Sequence, residues 1–381
     1  MHRDYQTRHG HLDRPVVLWG VRELHSGGVG SSAELRYKHP MLGLVIITLL
    51  AGFDPSAATR LLEHPEERTA TLRTLGSLKA PARAAAREAG LGQRVTALAT
   101  DPTQRFEDRV LAIRAAARIG GEHVQGPLRI LTQGSHDGVA TAIAREAARA
   151  LYQLGALKSL DSARLSVDPE VRAYAARAGG GVALCILLAD PWPMVRAAAA
   201  VGLGKSPSAP KCLARALEHE HPRVRYNAAR SAQLAPHPSL RGPLRALAGD
   251  ARAPVDARAE AFVGLAHLGD LEPAKRALAT HLEKGGIVPL ALAALRAFAV
   301  NDAHLDVIRS GLTSGTDTVR VAAAKLLVAR DDLGSRDAIA ETSKSVAPRY
   351  RAVMRDLLER LDRSPSHGFI IDRDAPEDPD E

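Results

Sequence analysis

The sequence of 381 residues predicts an all-α fold of stacked helical hairpins, and three observations point to it. Aromatic residues make up only 3% of the chain, so a core has to be assembled mainly from Leu, Val and Ala. Such a core suits closely packed helices better than a β-sandwich. A motif of turn residues, Val-Arg, two further residues and an Ala pair recurs along the chain. The step between copies is about thirty residues, the length of one helical hairpin.

The motif is clearest in four stretches, which read DPEVRAYAARAG from 168, DPWPMVRAAAAVGLG from 190, HPRVRYNAARSAQLA from 221 and GTDTVRVAAAKLLVA from 315. With the Val of Val-Arg as the anchor, the strong copies give Val171, Val195, Val224 and Val319, and weaker copies give Leu111, Ile143, Ala257, Leu290 and Tyr350. A first copy aligns at 62–81 with Glu67 at the anchor. The longer step after it is absorbed by a helical stretch from Pro81 to Thr100.

Each repeat corresponds to one helical hairpin. An Asp or His beside Pro begins the second helix, because the side chain accepts from exposed amides and Pro fits the first helical turn. The Ala pair and a following Leu form an apolar stripe, and glycines such as Gly204 stop the helix. A shorter apolar stretch before each anchor, such as GVALCILLA, supplies the first helix. The cysteines Cys185 and Cys212 are predicted to fill separate small apolar slots.

These units resemble HEAT repeats, in particular the short bacterial form named after phycobilisome lyases, over about residues 56–362. The resemblance implies a right-handed α-solenoid of armadillo type with about ten hairpins. It also implies a hydrogen-bond ladder between neighbouring repeats. The Asp role falls on Asp168, Asp190 and Asp317, and the Arg role on Arg172, Arg196, Arg225, Arg258 and Arg320. In the third strong copy His221 stands where the Asp belongs, which interrupts the ladder.

The segments outside the array are read from composition. Residues 1–40 are predicted to be a disordered or non-native leader, 41–58 an apolar signal-like segment, 59–362 the solenoid and 363–381 an acidic disordered tail. The run MLGLVIITLLAGFD is too short to span a membrane, since about thirteen helical residues cover roughly 20 Å. Basic residues before it and the small residues Ser56 and Ala58 favour an export signal cut after Ala58. A capping helix for the first hairpin and a membrane anchor are the alternatives, and Phe53 replaces the Cys that a lipid anchor requires.

No catalytic motif is found, and no catalytic, cofactor-binding or metal-binding residue is predicted. The string EHEH at 218–221 lies in a turn, where neighbouring side chains point in different directions, so it is interpreted as a solvated turn. The predicted cofactor content is therefore none. An enzyme of lyase type on this scaffold is the third alternative.

The function predicted is a non-enzymatic, monomeric scaffold of bacterial type that binds an unidentified protein, outside the cytoplasm in the exported interpretation and inside it in the alternative. Trp192, between two prolines in a turn, is the candidate anchor for a partner, with packing against the next hairpin as the alternative. The formal charge of +8 supports a second function, nucleic-acid binding by a basic concave face. Arg177, Arg230 and Lys325 recur six residues after their anchors and are its candidate residues, but the row is interrupted at Val201.

Overall fold

The computed structural model describes residues 53–133, 137–206, 209–300 and 304–363. Within these ranges the regular structure consists of α-helices and short 3-10 helices without a strand, and the predicted all-α solenoid is confirmed. The leader at 1–40, most of the apolar run and the tail after residue 363 lie outside the described residues. In the part of the chain that is described, no helix is long and apolar enough to cross a membrane.

The α-helices of the described residues are α1 Pro55–Glu63, α2 Pro65–Gly76, α3 Ala80–Glu88, α4 Leu91–Thr100, α5 Phe106–Ile119, α6 Gln125–Leu131, α7 Gly138–Gln153, α8 Pro169–Ala178, α9 Leu184–Leu187, α10 Pro193–Leu203, α11 Pro210–Leu217, α12 Pro222–Leu234, α13 Arg241–Gly249, α14 Val255–Ala266, α15 Glu272–Lys284, α16 Val288–Ala299, α17 Leu305–Ser310, α18 Asp317–Val328, α19 Arg336–Ser345 and α20 Pro348–Asp362.

These helices form ten successive units. Nine are hairpins, beginning with α1 and α2, and in the unit that ends with α8 two 3-10 turns, Leu157–Leu160 and Ser162–Leu165, replace the first helix. The helix α3 belongs to no hairpin and is inserted between the first two units. Successive second helices, such as α8, α10 and α12, pack against each other much more extensively than successive first helices do. The stack therefore curves towards the layer of second helices, which we call the inner face.

Small residues on the second helices set this close packing. A Cβ on Gly202 of α10 would lie 2.0 Å from the backbone oxygen of Ala176 in α8, a distance that no real side chain tolerates. The Ala pairs of both helices are fully buried, as at Ala175 and Ala199. Interior packing at this density leaves no room for larger side chains between the two helices.

Most anchor positions are buried, whereas Glu67, Leu111 and Tyr350 are only partly buried. Val171, Val195, Val224 and Val319 have no exposed surface. The anchor assigned to Leu111 is wrong, because Leu111 is only partly buried and Asp108 is the buried residue at the third position of α5. The prediction followed the apolar Leu, whereas the helix begins at Phe106 and presents a carboxylate that accepts from the Thr69 hydroxyl at 2.5 Å.

The boundary placed between residues 58 and 59 falls inside α1. The Asp54 carboxylate accepts a hydrogen bond of 2.8 Å from the Ser56 amide and so caps this helix, and Pro55 is its first residue. Ala58 and Leu62 are both buried on the same face of α1. Ser56 and Ala58, the small residues taken for a cleavage site, therefore belong to the first turn of α1.

The interpretation of the cysteines as separate apolar fillers is wrong, because Cys185 and Cys212 form a disulfide. Their Cα atoms are 5.4 Å apart, and the bond joins α9 to α11, the first helices of neighbouring hairpins. The sequence separation of 27 residues is close to one repeat, so stacking places the two side chains opposite each other. The spacing of the two cysteines, close to one repeat, could have predicted this contact, whereas the number of cysteines did not indicate it.

Candidate functional site

One edge of the solenoid is formed by the turns inside the hairpins, and arginines at the start of the second helices hold it together. Five of these arginines donate to the carbonyl oxygen six residues upstream, in the turn of their own hairpin: Arg68 to Leu62, Arg172 to Ser166, Arg196 to Asp190, Arg225 to His219 and Arg320 to Ser314. This bond satisfies a carbonyl that the helix leaves without a partner. The recurring Arg therefore fixes the turn within these five units.

Some of these arginines also reach the next hairpin. The Arg172 guanidinium donates to both carboxylate oxygens of Asp190, at 2.8 and 3.1 Å, and both side chains are largely buried. Asp190 in turn accepts from the Trp192 amide at 2.9 Å and so fixes the turn before the following helix. In the preceding unit, Arg145 makes the corresponding pair with Asp168 at 2.7 Å. The edge therefore contains two consecutive charged rungs.

The carboxyl groups of these rungs are held ionised. Burial by itself would raise the pKa of Asp190, but the hydrogen bonds from Arg172 and the Trp192 amide outweigh it and lower the pKa below the ordinary value. Asp168 behaves in the same way, because burial is outweighed by the hydrogen bonds from Arg145 and two helix amides. The ion pairs of this edge therefore persist at neutral pH.

Beyond Asp190 the charged rungs stop. Arg196 and Arg225 keep their bonds to the turn carbonyls, but the Nε atom of each is buried without a hydrogen-bond partner among the described residues. Where an Asp would be expected, the His221 ring caps α12 by accepting from the Arg223 amide. The expected interruption at His221 thus coincides with arginines that lack a carboxylate.

The remaining predicted ladder residues have different contacts. Arg258 donates to the Ala248 carbonyl, ten residues upstream, at 3.2 Å. Arg320 reaches the Ser345 hydroxyl of the next hairpin at 2.9 Å. Asp317 is not a turn residue but the first residue of α18, where it accepts from the Ala347 amide at 2.9 Å.

A second set of ion pairs, which the sequence did not predict, connects the loops between hairpins. The pairs Arg245–Asp270 and Arg309–Asp332 each join a first helix to the loop that precedes the next one. The Asp332 carboxylate accepts from two nitrogens of Arg309. In sequence each Asp follows the end of an Ala-rich second helix, a signal that a search centred on Val-Arg does not use.

The predicted basic residues Arg177, Arg230 and Lys325 are exposed at equivalent positions of α8, α12 and α18. The Arg177 guanidinium lies 5.9 Å from the Tyr174 ring centre and that of Arg230 lies 5.8 Å from Tyr226. With α5 counted from Asp108, four more arginines occupy the same position on other second helices: Arg73, Arg114, Arg149 and Arg296. We call these seven residues the cationic row.

The cationic row is interrupted by uncharged and acidic residues, and some of its members form ion pairs. Val201, Val263 and Asp356 occupy its position on α10, α14 and α20. Three of its members are paired with glutamates, in the ion pairs Arg73–Glu107, Arg114–Glu146 and Arg296–Glu260. The sequence missed these arginines because their copies of the repeat have weak anchors.

Trp192 is 53% exposed. It belongs to a concentration of exposed apolar side chains that we call the Trp192 surface, formed by Leu165, Val167, Val182, Ile186, Trp192 and Met194. These are six of the twelve large apolar side chains that are exposed in the described part of the chain, and they fall within thirty residues (165–194). Large exposed apolar patches usually mark an interaction site.

The Arg172 rung brings the two halves of this surface together. Its guanidinium donates to the Val167 carbonyl at 3.0 Å and, at the same time, to the Asp190 carboxylate. The turn with Leu165 and Val167 therefore lies directly beside the turn with Trp192. The short helix α9, with Ile186 77% exposed, lies between the two turns in sequence.

The histidines of the EHEH string act as turn residues. The Nδ1 atom of His219 accepts from the His221 amide at 2.9 Å. Burial and then the neighbouring Arg196 cation lower the pKa of His219, so it is neutral at pH 7. Among the residues that the structure describes, no three His, Cys, Asp or Glu side chains are grouped as metal ligands would be.

Comparisons with known proteins bear on the region of the Trp192 surface. A family model described as HEAT repeats matches residues 182–261. Two crystal structures of engineered proteins align with 81% of the chain at 20% identity, covering 99% and 97% of their own chains with TM-scores of 0.40 and 0.18. No curated protein matches the chain. The matched segment, residues 182–261, is therefore similar to HEAT repeats, and the hairpins on both sides of it repeat its helices and its buried anchors.

Proposed function

We propose that this protein is a non-enzymatic scaffold that binds an apolar segment of another protein through the Trp192 surface. The observation that carries the proposal is the concentration of exposed apolar side chains at 165–194, which holds six of the twelve large apolar side chains that are exposed in the described part of the chain. Trp is the residue most favoured at the centre of protein interfaces, because it combines a large apolar area with few rotatable bonds.

The framework beneath this surface is suited to rigid docking. The Arg172–Asp190 pair fixes one turn against the next, and the disulfide ties α9 to the following hairpin. A surface that is already ordered loses less conformational entropy when a partner binds. Removing Trp192 from an interface is therefore expected to weaken binding by about 2 kcal/mol or more.

The experiment uses paired substitutions at exposed apolar positions. We expect Ile186→Ser/Trp192→Ser to lose a partner that the unaltered chain captures by cross-linking in its native cell fraction. The control is Ile130→Ser/Leu234→Ser, two side chains that are 63% and 74% exposed outside the surface. This control should retain the partner. Equal capture by both double variants, or equal loss, would refute a role for the Trp192 surface.

We further propose that the protein works outside the cytoplasm. The apolar run from Met41 has the length of an export signal, and the Cys185–Cys212 bond suits an oxidising compartment. Cleavage would have to precede Asp54, which caps α1, and not follow Ala58. The amino-terminal sequence of the mature protein tests this. A start between residues 42 and 54 supports export, whereas an intact Met1 or Met41 together with free thiols in cells contradicts it.

Nucleic-acid binding is the second candidate function, favoured by the cationic row. Arg177 and Arg230, each over a tyrosine ring, are the residues most available to phosphates or bases. The valines at 201 and 263 and the glutamate pairs weaken this candidate, because a phosphate backbone needs closely spaced cations. A gel-shift affinity that falls steeply with salt would support it, and no binding at about 50 mM salt would exclude it.

A further inference from the structure

The inserted helix α3 forms one side of a pocket. A cavity of about 540 Å³ lies on the inner face between α3 and the second helices α5 and α7. Its size falls within the roughly 300 to 1,000 Å³ that is typical of sites for small ligands. The lining is mainly polar and includes four arginines, Arg83, Arg114, Arg118 and Arg149.

The insertion is fastened to α5 at both ends of the pocket. Arg87 of α3 donates through two nitrogens to the Ile119 carbonyl, at 2.8 and 3.1 Å. Arg118 of α5 donates in return to the Leu78 carbonyl, just before α3, at 2.7 Å. These bonds satisfy the end of α5 and hold α3 as a wall of the cavity.

The four arginines carry more positive charge than the pocket neutralises. Glu146 is the one acidic residue of the lining, and it is bound by Arg114 at 2.7 Å. The guanidinium of Arg149 has no hydrogen-bond or ion-pair partner among the described residues. The Nε atom of Arg83 is buried and also without a partner. A buried donor without an acceptor is costly, so an anion that reached this atom would be favoured.

We propose that this pocket binds an acidic segment of a partner protein, with carboxylates of Asp or Glu seated against Arg83 and Arg149. The guanidinium fork matches a carboxylate with two parallel hydrogen bonds. Gln153 at the rim offers both a donor and an acceptor, which suits a peptide backbone. The inference rests on the proposed role as a protein-binding scaffold, but it uses a different surface from Trp192.

The geometry favours a short peptide over duplex DNA. Specific protein–DNA interfaces bury about 1,000 Å² or more of protein surface and need phosphate contacts at regular spacing. Here the unpaired cations meet inside one walled cavity, and Glu146 lies among them. Glu146 is paired with Arg114, so Arg83 and Arg149 are the cations left for a ligand, and two cations in one cavity suit a short acidic segment better than an extended duplex.

The test measures binding of a labelled peptide to the full chain by fluorescence anisotropy. The probe is DRDAPEDPDE, the sequence of residues 372–381, which carries six acids and one base, and its analogue without charged side chains is NQNAPQNPNQ. We expect the acidic probe to bind and the neutral analogue not to bind. Arg83→Gln/Arg149→Gln should weaken the acidic probe at least about tenfold, because two charged hydrogen-bonding groups are lost.

The matched control is Arg177→Gln/Arg230→Gln, which removes the same charge from the cationic row outside the pocket. It should change the affinity for the peptide by less than about twofold, since these charges are screened by solvent. The same tail is present in every variant and competes with the probe wherever the pocket is intact, so the measured loss of affinity in Arg83→Gln/Arg149→Gln is a lower bound. Equal loss in the two double variants would overturn the proposal, because it would show only diffuse attraction.

Two further measurements complete the test. Should Arg83→Gln prevent folding, as judged by circular dichroism, the single variant Arg149→Gln keeps the prediction testable, because Arg149 is exposed. A 20-base-pair duplex that binds more tightly than the peptide and loses affinity equally in both double variants would assign the charge to nucleic acid. That result overturns the peptide site. Failure of the Trp192 experiment together with success here would leave the pocket in place.

Discussion

The Arg172–Asp190 rung offers the sharpest test of how the turns are held. Asp190→Ala removes a carboxylate that accepts two hydrogen bonds from Arg172 and one from the Trp192 amide. The side chain of Asp190 is 6% exposed and that of Arg172 is 14% exposed. The substitution therefore leaves a largely buried guanidinium without its counter-charge.

The magnitude follows from these contacts. Loss of the hydrogen bond to the Trp192 amide costs about 1 kcal/mol. Removing one member of a buried ion pair costs about 3 to 5 kcal/mol. Because Arg172 keeps its bonds to the turn carbonyls of Ser166 and Val167, we take the lower end of this range for Asp190→Ala. We therefore expect Asp190→Ala to lower the free energy of unfolding by about 3 to 4 kcal/mol.

Urea unfolding followed by circular dichroism measures this, in a double-mutant cycle with Arg172→Ala. The coupling between the two residues should be about 2 kcal/mol. The matched control is the pair Glu341–Lys344, whose side chains are 76% and 73% exposed and whose coupling should stay below about 0.5 kcal/mol. A coupling in the buried pair no larger than in the exposed pair would refute the reasoning that the rung stabilises the array.

Three other changes have defined outcomes. The pKa of Asp190 is lowered in the folded protein, so the stability that its ionised carboxylate confers is complete above the ordinary value of 3.8 and is lost as the pH falls through the lowered pKa. We therefore expect the melting temperature to decrease when the pH falls below about 4. The decrease should be less steep in Asp190→Asn. Reduction of the disulfide, or the double substitution Cys185→Ser/Cys212→Ser, should lower the free energy of unfolding by about 3 kcal/mol, as expected for a loop of this length. A reductant should not change the stability of the double variant. Gly202→Ala should destabilise by about 2 kcal/mol or more through its clash with α8, whereas Gly126→Ala, which meets nothing within 4 Å, should be neutral or stabilising in the same melting assay.

The repeat itself was readable from the sequence because its determinants are local. The anchor, the Ala pair and the turn residues are separated by fixed numbers of residues, and helical periodicity places them on one buried face. Val171 and Val224 are fully buried for this reason. The prediction failed at α5, where a buried Asp108 that binds Thr69 takes the place of an apolar anchor. A pattern defined by apolar letters cannot recognise that exchange.

Contacts between hairpins were harder to predict, because they depend on which residues the stacking brings together. The role of the Arg after the anchor was assigned by resemblance to the bond with the next repeat. In the structure its most constant bond is to a carbonyl of its own turn, and the second bond varies from the Asp190 carboxylate to the Ser345 hydroxyl. A carbonyl is present at every turn whatever the side chain, so sequence letters carry no signal for it.

The two candidate binding surfaces arise where the array departs from its own rule. The Trp192 turn contains two more residues between Asp190 and its anchor than the turn at Asp168 does, and this longer turn leaves the indole outside the packed layer. The pocket of Arg83 and Arg149 exists because an extra helix was inserted between regular hairpins. Regular repeats bury their apolar stripes and pair their charges against identical neighbours. Side chains at an irregularity have no such neighbour, which leaves their apolar area and their charge available to a partner.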